Sequence, residues 1–71
     1  MITETRRRPR DLFPREKEIM ELTIKGMTGK EIASELNLSY HTIRTYKSQI
    51  YDKLDVLNMN GAIVKYMENK G

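Results

Sequence analysis

An all-α fold of four short helices is what this sequence predicts. Three observations carry it. Apolar residues recur at helical spacing from about residue 14 to the end of the chain. Helix-starting and helix-ending residues punctuate that pattern: Pro14, Gly26, Thr28, Asn37, Ser39, Asp55 and Asn60. The composition, 38% apolar and 32% charged, suits a small helical domain.

Helix one is predicted over about Pro14 to Lys25. Proline fits the first helical position, where its missing N–H would be an orphan in any case. The Glu16 carboxylate can reach back to the N–H of residue 13. Ile19, Met20, Leu22, Thr23 and Met27 form the apolar stripe. Gly26 ends the helix, because a positive φ costs glycine nothing. Helix two opens on a capping box in which Thr28 and Glu31 satisfy each other's backbone N–H. Ile32, Ala33 and Leu36 share its apolar face, and Asn37 tolerates the left-handed conformation that closes it. Ser39 is the N-cap of helix three, about Tyr40 to Leu54. Its apolar residues Ile43, Tyr46, Ile50 and Leu54 fall within about 80° of one another on the helical wheel. His41, Arg44, Thr45, Ser48 and Asp52 lie opposite. Asp55 ends that helix, with Val56 packing back on it. Asn60 is expected to cap helix four, about Gly61 to Asn69, with Ile63, Val64, Tyr66 and Met67 inward.

The 71 residues make one domain. A chain this short buries only about 60% of its unfolded surface, so its core is small. It contains no cysteine, which excludes a disulfide framework and a thiolate metal site. A mean hydropathy of −0.68 and the lack of a long apolar run argue against a membrane span, and no apolar segment follows Met1 as in a signal peptide. A cytoplasmic location is the expectation. His41 is the single histidine. It has neither a ligand cluster for a metal nor a nucleophile and orienting group for catalysis, so no enzyme activity, metal or cofactor is expected.

The formal charge is +3, and its placement is uneven. Residues 1–11 carry +2, through Arg6, Arg7, Arg8 and Arg10. They read as a solvated, disordered arm ahead of a domain at 12–71. Residues 39–54 also carry +2, through Arg44, Lys47 and Lys53 against Asp52. Helices two and three, joined by so short a turn, form a helix-turn-helix in which helix three protrudes. A protruding helix with a polar, positive face fits the major groove of double-stranded DNA. Arg44 can give two bonds to guanine, and Thr45 and Ser48 can offer hydroxyls to bases. Asp52, repelled by phosphate, implies that only the first half of the helix enters the groove. On helix four, Ile63, Val64, Tyr66 and Met67 span about 160°, wider than the roughly 100° stripe that one core needs. The surplus predicts a homodimer.

Leu12-Phe13-Pro14-Arg15-Glu16, Gly26-Met27-Thr28-Gly29-Lys30-Glu31-Ile32-Ala33, Leu38-Ser39-Tyr40-His41-Thr42-Ile43-Arg44 and Lys53-Leu54-Asp55-Val56 follow in fixed order. In them the chain resembles the LuxR/GerE-type DNA-binding domain, from residue 12 to about 67. The resemblance implies a four-helix transcriptional regulator, dimeric through helix four, with base-reading positions at Arg44, Thr45 and Ser48. It also implies phosphate contacts at Lys30, Thr42 and Lys47; His41, taken by itself, reads as a solvent-facing or phosphate-near residue. The chain departs from the family's pattern at Phe13 (usually Thr or Ser), Gly29 (often Asn), Tyr46 (often His), Asp55 (often Gly) and Leu57 (often basic). Losing the side-chain cap at Phe13 costs around 1 kcal/mol. Most members carry this domain behind a sensing domain, whereas here only the arm precedes it, so a stand-alone regulator is expected over an excised piece. Two other readings use the same helices: region four of a sigma factor, and a module that binds a larger regulatory protein. The polymerase-binding helices that normally precede such a region are missing, and the cations of helices two and three favour DNA.

Overall fold

Residues 11–70 are described by the structure, a computed structural model. The basic arm, apart from Asp11, lies outside the described residues. Four helices follow in order: α1 (Pro14–Ile24), α2 (Gly29–Leu36), α3 (Tyr40–Leu54) and α4 (Met59–Lys70). There is no strand among the described residues.

α1 starts at Pro14 as its sequence predicts, and Phe13 N–H donates to Glu16 Oε1 at 2.7 Å. The helix ends one residue sooner than expected, at Ile24, although Lys25 keeps right-handed helical angles. Gly26 then takes φ +99°, and the N–H groups of Gly26 and Met27 bond back to the carbonyls of Thr23 and Leu22. That closure consumes two of the carbonyls the helix end leaves unpaired. The α2 capping box is complete: Glu31 N–H donates to Thr28 Oγ1 at 3.2 Å, and Thr28 N–H to Glu31 Oε1 at 2.8 Å. Asn37 ends the helix at φ 59°, and Leu38 N–H reaches Ala33 O at 2.8 Å. The chain turns sharply enough that Ser39 immediately caps α3, accepting from Thr42 N–H at 3.0 Å. Asp55 closes α3 at φ 59°, with Val56 N–H on Tyr51 O at 3.0 Å.

α4 departs from its sequence reading in two respects. Its cap is Asn58, not Asn60: Asn58 Oδ1 accepts Gly61 N–H at 2.9 Å, and the helix starts at Met59. The earlier start brings Met59 against the core, while Asn60 is exposed. The inward side is also different. Ala62 is fully buried and Ile63 and Tyr66 pack partly on the core, but Val64 and Met67 are 56% and 52% exposed. A helix laid on one core can bury only one stripe, and Ala62 allows that stripe to lie close.

α3 is in contact with all three other helices and forms the spine of the domain. Ile43 and Ile50 on α3, Ile19 and Met20 on α1 and Ile32 on α2 are completely buried, with Leu12 and Leu54 nearly so. Each such side chain is worth roughly 1.5–3 kcal/mol of transfer free energy, so this cluster orients α3. Glu16 is buried among them, its Oε1 2.8 Å from Lys53 Nζ.

Candidate nucleic-acid interface

With Ile43, Ile50 and Leu54 held in the core, the opposite side of α3 must face solvent. His41, Arg44, Thr45 and Ser48 are all exposed, and together they line one shallow depression on that side. Their spacing of three, four and seven residues is what brings them together on a helix. Thr45 Oγ1 donates to His41 O at 3.2 Å, so its hydroxyl hydrogen is engaged within the helix. That leaves Thr45 an acceptor and a methyl group for an outside partner. Thr42 is half-buried, and its hydroxyl lies 2.8 Å from Ser39 Oγ as part of the α3 cap.

The two lysines of the predicted interface are held differently. Lys30 is exposed on the first turn of α2, with Nζ 6.0 Å from the centre of the Tyr40 ring. Lys47 is half-buried, with its Nζ beside Gly29 at the start of α2. Tyr40, 46% exposed at the start of α3, lies near both: its ring centre is 6.0 Å from Lys30 Nζ, and its edge borders Gly29 together with the Lys47 ammonium. Sequence reasoning missed it, because a tyrosine at a first helical position carries no signal of its own.

Lys53 was counted with Arg44 and Lys47 in the positive charge of this helix. It belongs elsewhere: Nζ bonds Glu16 and lies 3.3 Å from the centre of the Phe13 ring. The positive charge on the protruding side therefore rests on Arg44 and Lys47, with Lys30 beside them on α2. Asp52 is exposed two turns beyond Thr45. Phe13, which supplies no side-chain cap, instead covers the Lys53 ammonium.

Of the residues assigned to a dimer contact, Val64 and Met67 are exposed on the outer side of α4. Ile63 and Tyr66 are half-buried against their own core. The Tyr66 hydroxyl donates to Glu21 Oε2 at 2.6 Å, tying α4 to α1. Burial, then that hydrogen bond, then the charge of Glu21 push the Tyr66 pKa up to about 12. Among the described residues no group of three or more His, Cys, Asp or Glu side chains could hold a metal, and no helix is long and apolar enough to cross a membrane.

A capped α2, a turn closed by Asn37 and an α3 whose polar side protrudes define a helix-turn-helix domain. Comparison with known proteins agrees: residues 11–66 match the family described as bacterial regulatory proteins, luxR family, and the chain belongs to it. It is 46% identical over 57 residues to the transcriptional regulatory protein DesR of Bacillus subtilis, covering 80% of this chain and 29% of DesR. It is 38% identical over 60 residues to the probable HTH-type transcriptional regulator GfsR of Streptomyces halstedii, covering 84% of this chain and 25% of GfsR. With the spore germination protein GerE of Bacillus subtilis it shares 41% identity over 56 residues, 79% of this chain and 76% of GerE. The chain thus spans less than a third of DesR and of GfsR. These relatives are named as regulators and not as enzymes, apart from GerE, which is named for spore germination.

Proposed function

We propose that this chain regulates transcription by binding double-stranded DNA at specific sequences, as a homodimer in the cytoplasm. The observation that carries the reading is the gathering of His41, Arg44, Thr45 and Ser48 on the exposed side of α3. The first half of α3 enters the major groove. Arg44 reads a guanine edge, and Thr45 and Ser48 meet neighbouring bases. Lys30 and Lys47 contact phosphates, with Thr42 and His41 at the groove wall. The domain at 12–71 does this work, and the arginines of residues 1–11 add long-range attraction. Val64 and Met67 of α4 meet their counterparts across a two-fold axis, so that two copies of α3 address two half-sites.

Titrating the full chain against duplex DNA at low and moderate salt tests this. Affinity should fall with a log–log slope of roughly 0.9 for each phosphate neutralised. A flat response, or no binding to any duplex, would overturn it.

A second reading has one observation in its favour. A groove lined by Leu22, Leu36 and Tyr66, with Glu18, Glu21 and Glu35 around them, lies between α1, α2 and α4, and α3 contributes nothing to its lining. A larger regulatory protein could dock there while α3 holds DNA.

A further inference from the structure

The first residues of α2 and α3 meet. A β-carbon built on Gly29 would lie 2.8 Å from Tyr40 Cε1 and 3.4 Å from Lys47 Nζ. The space that a side chain at position 29 would fill is thus taken by the Tyr40 ring and the Lys47 ammonium together. The spacing explains why. Tyr40 and Lys47 are seven residues apart, two helical turns, and so share one stripe of α3. That stripe borders the buried side marked by Ile43 and faces the start of α2. Lys30, the next residue after Gly29, brings its own ammonium to 6.0 Å from the centre of the same ring. One aromatic ring, packed against a glycine, therefore has one lysine ammonium 6.0 Å from its centre and a second beside the same glycine.

Both lysines are flexible chains whose ammonium groups would otherwise sample many positions. They also repel each other, so nothing in their charge alone draws them to one place. A ring fixed against backbone limits both. Its face attracts Lys30 weakly at this distance. Its edge and the Lys47 ammonium lie against the same open side of Gly29. We infer that Tyr40 is a positioning residue for DNA-backbone phosphate: through its ring, and not its hydroxyl, it sets Lys30 and Lys47 as the two arms of one phosphate clamp. Gly29 is the seat that admits the ring. The inference rests on the DNA-binding reading above and adds to it a residue pair, Gly29 and Tyr40, whose task is the placement of charge.

The test uses the full chain and measures affinity for one preferred duplex and one scrambled duplex at two salt concentrations. Unfolding midpoints are recorded for every variant. Tyr40→Ala should weaken both duplexes alike, by about fivefold, the scale of a single exposed charge contact. It should also lower the salt slope by about 1 per subunit. Tyr40→Phe should stay within about twofold of wild type, since the ring remains. Gly29→Ala should reproduce the Tyr40→Ala loss, because its new methyl displaces the ring. In the Tyr40→Ala background, Gly29→Ala should cost no further affinity. If wild type binds no duplex, this inference and the reading beneath it both fall. If wild type binds and Tyr40→Ala keeps its affinity and salt slope, the inference alone is wrong. Loss in Tyr40→Phe equal to that in Tyr40→Ala overturns the ring-positioning role in favour of direct hydroxyl contact. Independent losses in the Gly29 and Tyr40 variants overturn the coupling between them.

Discussion

Lys53 and Glu16, 37 residues apart, are joined by a 2.8 Å contact between Nζ and Oε1 that ties the last turn of α3 to the first turn of α1. Glu16 is fully buried, while the Lys53 side chain keeps 15% of its surface exposed. The same Oε1 accepts the Phe13 N–H, so one carboxylate both caps α1 and holds α3. A buried ion whose partner is removed keeps its desolvation cost without the attraction that offset it. Lys53→Met should therefore lower stability by about 3 kcal/mol. Adding Glu16→Gln should recover most of that loss, since glutamine still accepts from Phe13 but carries no charge. Chemical denaturation of the single and double variants decides it. A double variant as unstable as Lys53→Met would mean that the charge is not the cause.

Burial of Tyr66, together with its hydrogen bond to Glu21, gives the fold a dependence on alkaline pH. Folding raises the Tyr66 pKa from 10.0 to about 12. The proton is thus held more tightly in the native state than in the unfolded one. Stability from this group is complete below pH 10 and is lost as pH rises from about 10 through about 12. Burial also raises the Tyr51 pKa, so wild type will lose stability in alkali for two reasons. Tyr66→Phe isolates one of them. It should cost about 1 kcal/mol at neutral pH, the net worth of an ordinary hydrogen bond. The gap between variant and wild type should then close as pH passes from 10 towards 12. A gap that stays constant over that range would assign the loss to packing.

Much of the fold was legible because its signals are local. A capping box needs two residues three apart, as in Thr28 and Glu31, and a left-handed stop needs one tolerant residue, as at Asn37 and Asp55. The errors lie where two local signals competed or where the cause is remote. Asn58 and Asn60 are both good caps, and choosing between them depends on whether Met59 has a core to pack on. Val64 and Met67 continue an apolar pattern, but only the neighbouring helices decide which side of α4 is buried. Lys53 looked like a surface cation because its partner, Glu16, sits 37 positions away. At the candidate site, His41, Arg44, Thr45 and Ser48 could be grouped from helical spacing alone. The seating of Tyr40 on Gly29 could not, since neither residue carries a pattern and the contact joins two helices.

Exposure of Val64 and Met67 leads to a prediction about assembly. Each leaves more than half of its surface in water in the single chain, whereas Ala62 beside them is fully buried. Burying a valine-sized side chain is worth roughly 1.5–3 kcal/mol. Across a two-fold axis one substitution acts on both copies. Val64→Lys should therefore raise the dimer dissociation constant at least about tenfold. The unfolding midpoint at a concentration where the chain is monomeric should hardly move, because the side chain lies outside the core. Sedimentation over a concentration series reads the first effect and thermal denaturation the second. If the variant sediments like wild type, α4 does not hold the dimer. If it unfolds, Val64 belongs to the core after all.

Arg44 and Lys47 should separate specificity from affinity. Arg44 is exposed in the depression shared with His41, Thr45 and Ser48, where a guanidinium can meet a guanine edge through two parallel bonds. Lys47 lies at the rim, half-buried, with its ammonium carried towards Gly29 at the start of α2. A rim ammonium meets the groove wall, hence phosphate, which carries no sequence information. Arg44→Ala should cost roughly 1–3 kcal/mol on a preferred duplex and little on a scrambled one, relaxing preference at one position of each half-site. Lys47→Ala should weaken both duplexes alike and lower the salt slope by about 1 per subunit. Both variants should fold normally, since neither side chain is fully buried. Binding of each to both duplexes at one fixed salt concentration makes the comparison. If Arg44→Ala weakens the two duplexes equally, Arg44 grips phosphate, and base reading must fall to Thr45 and Ser48.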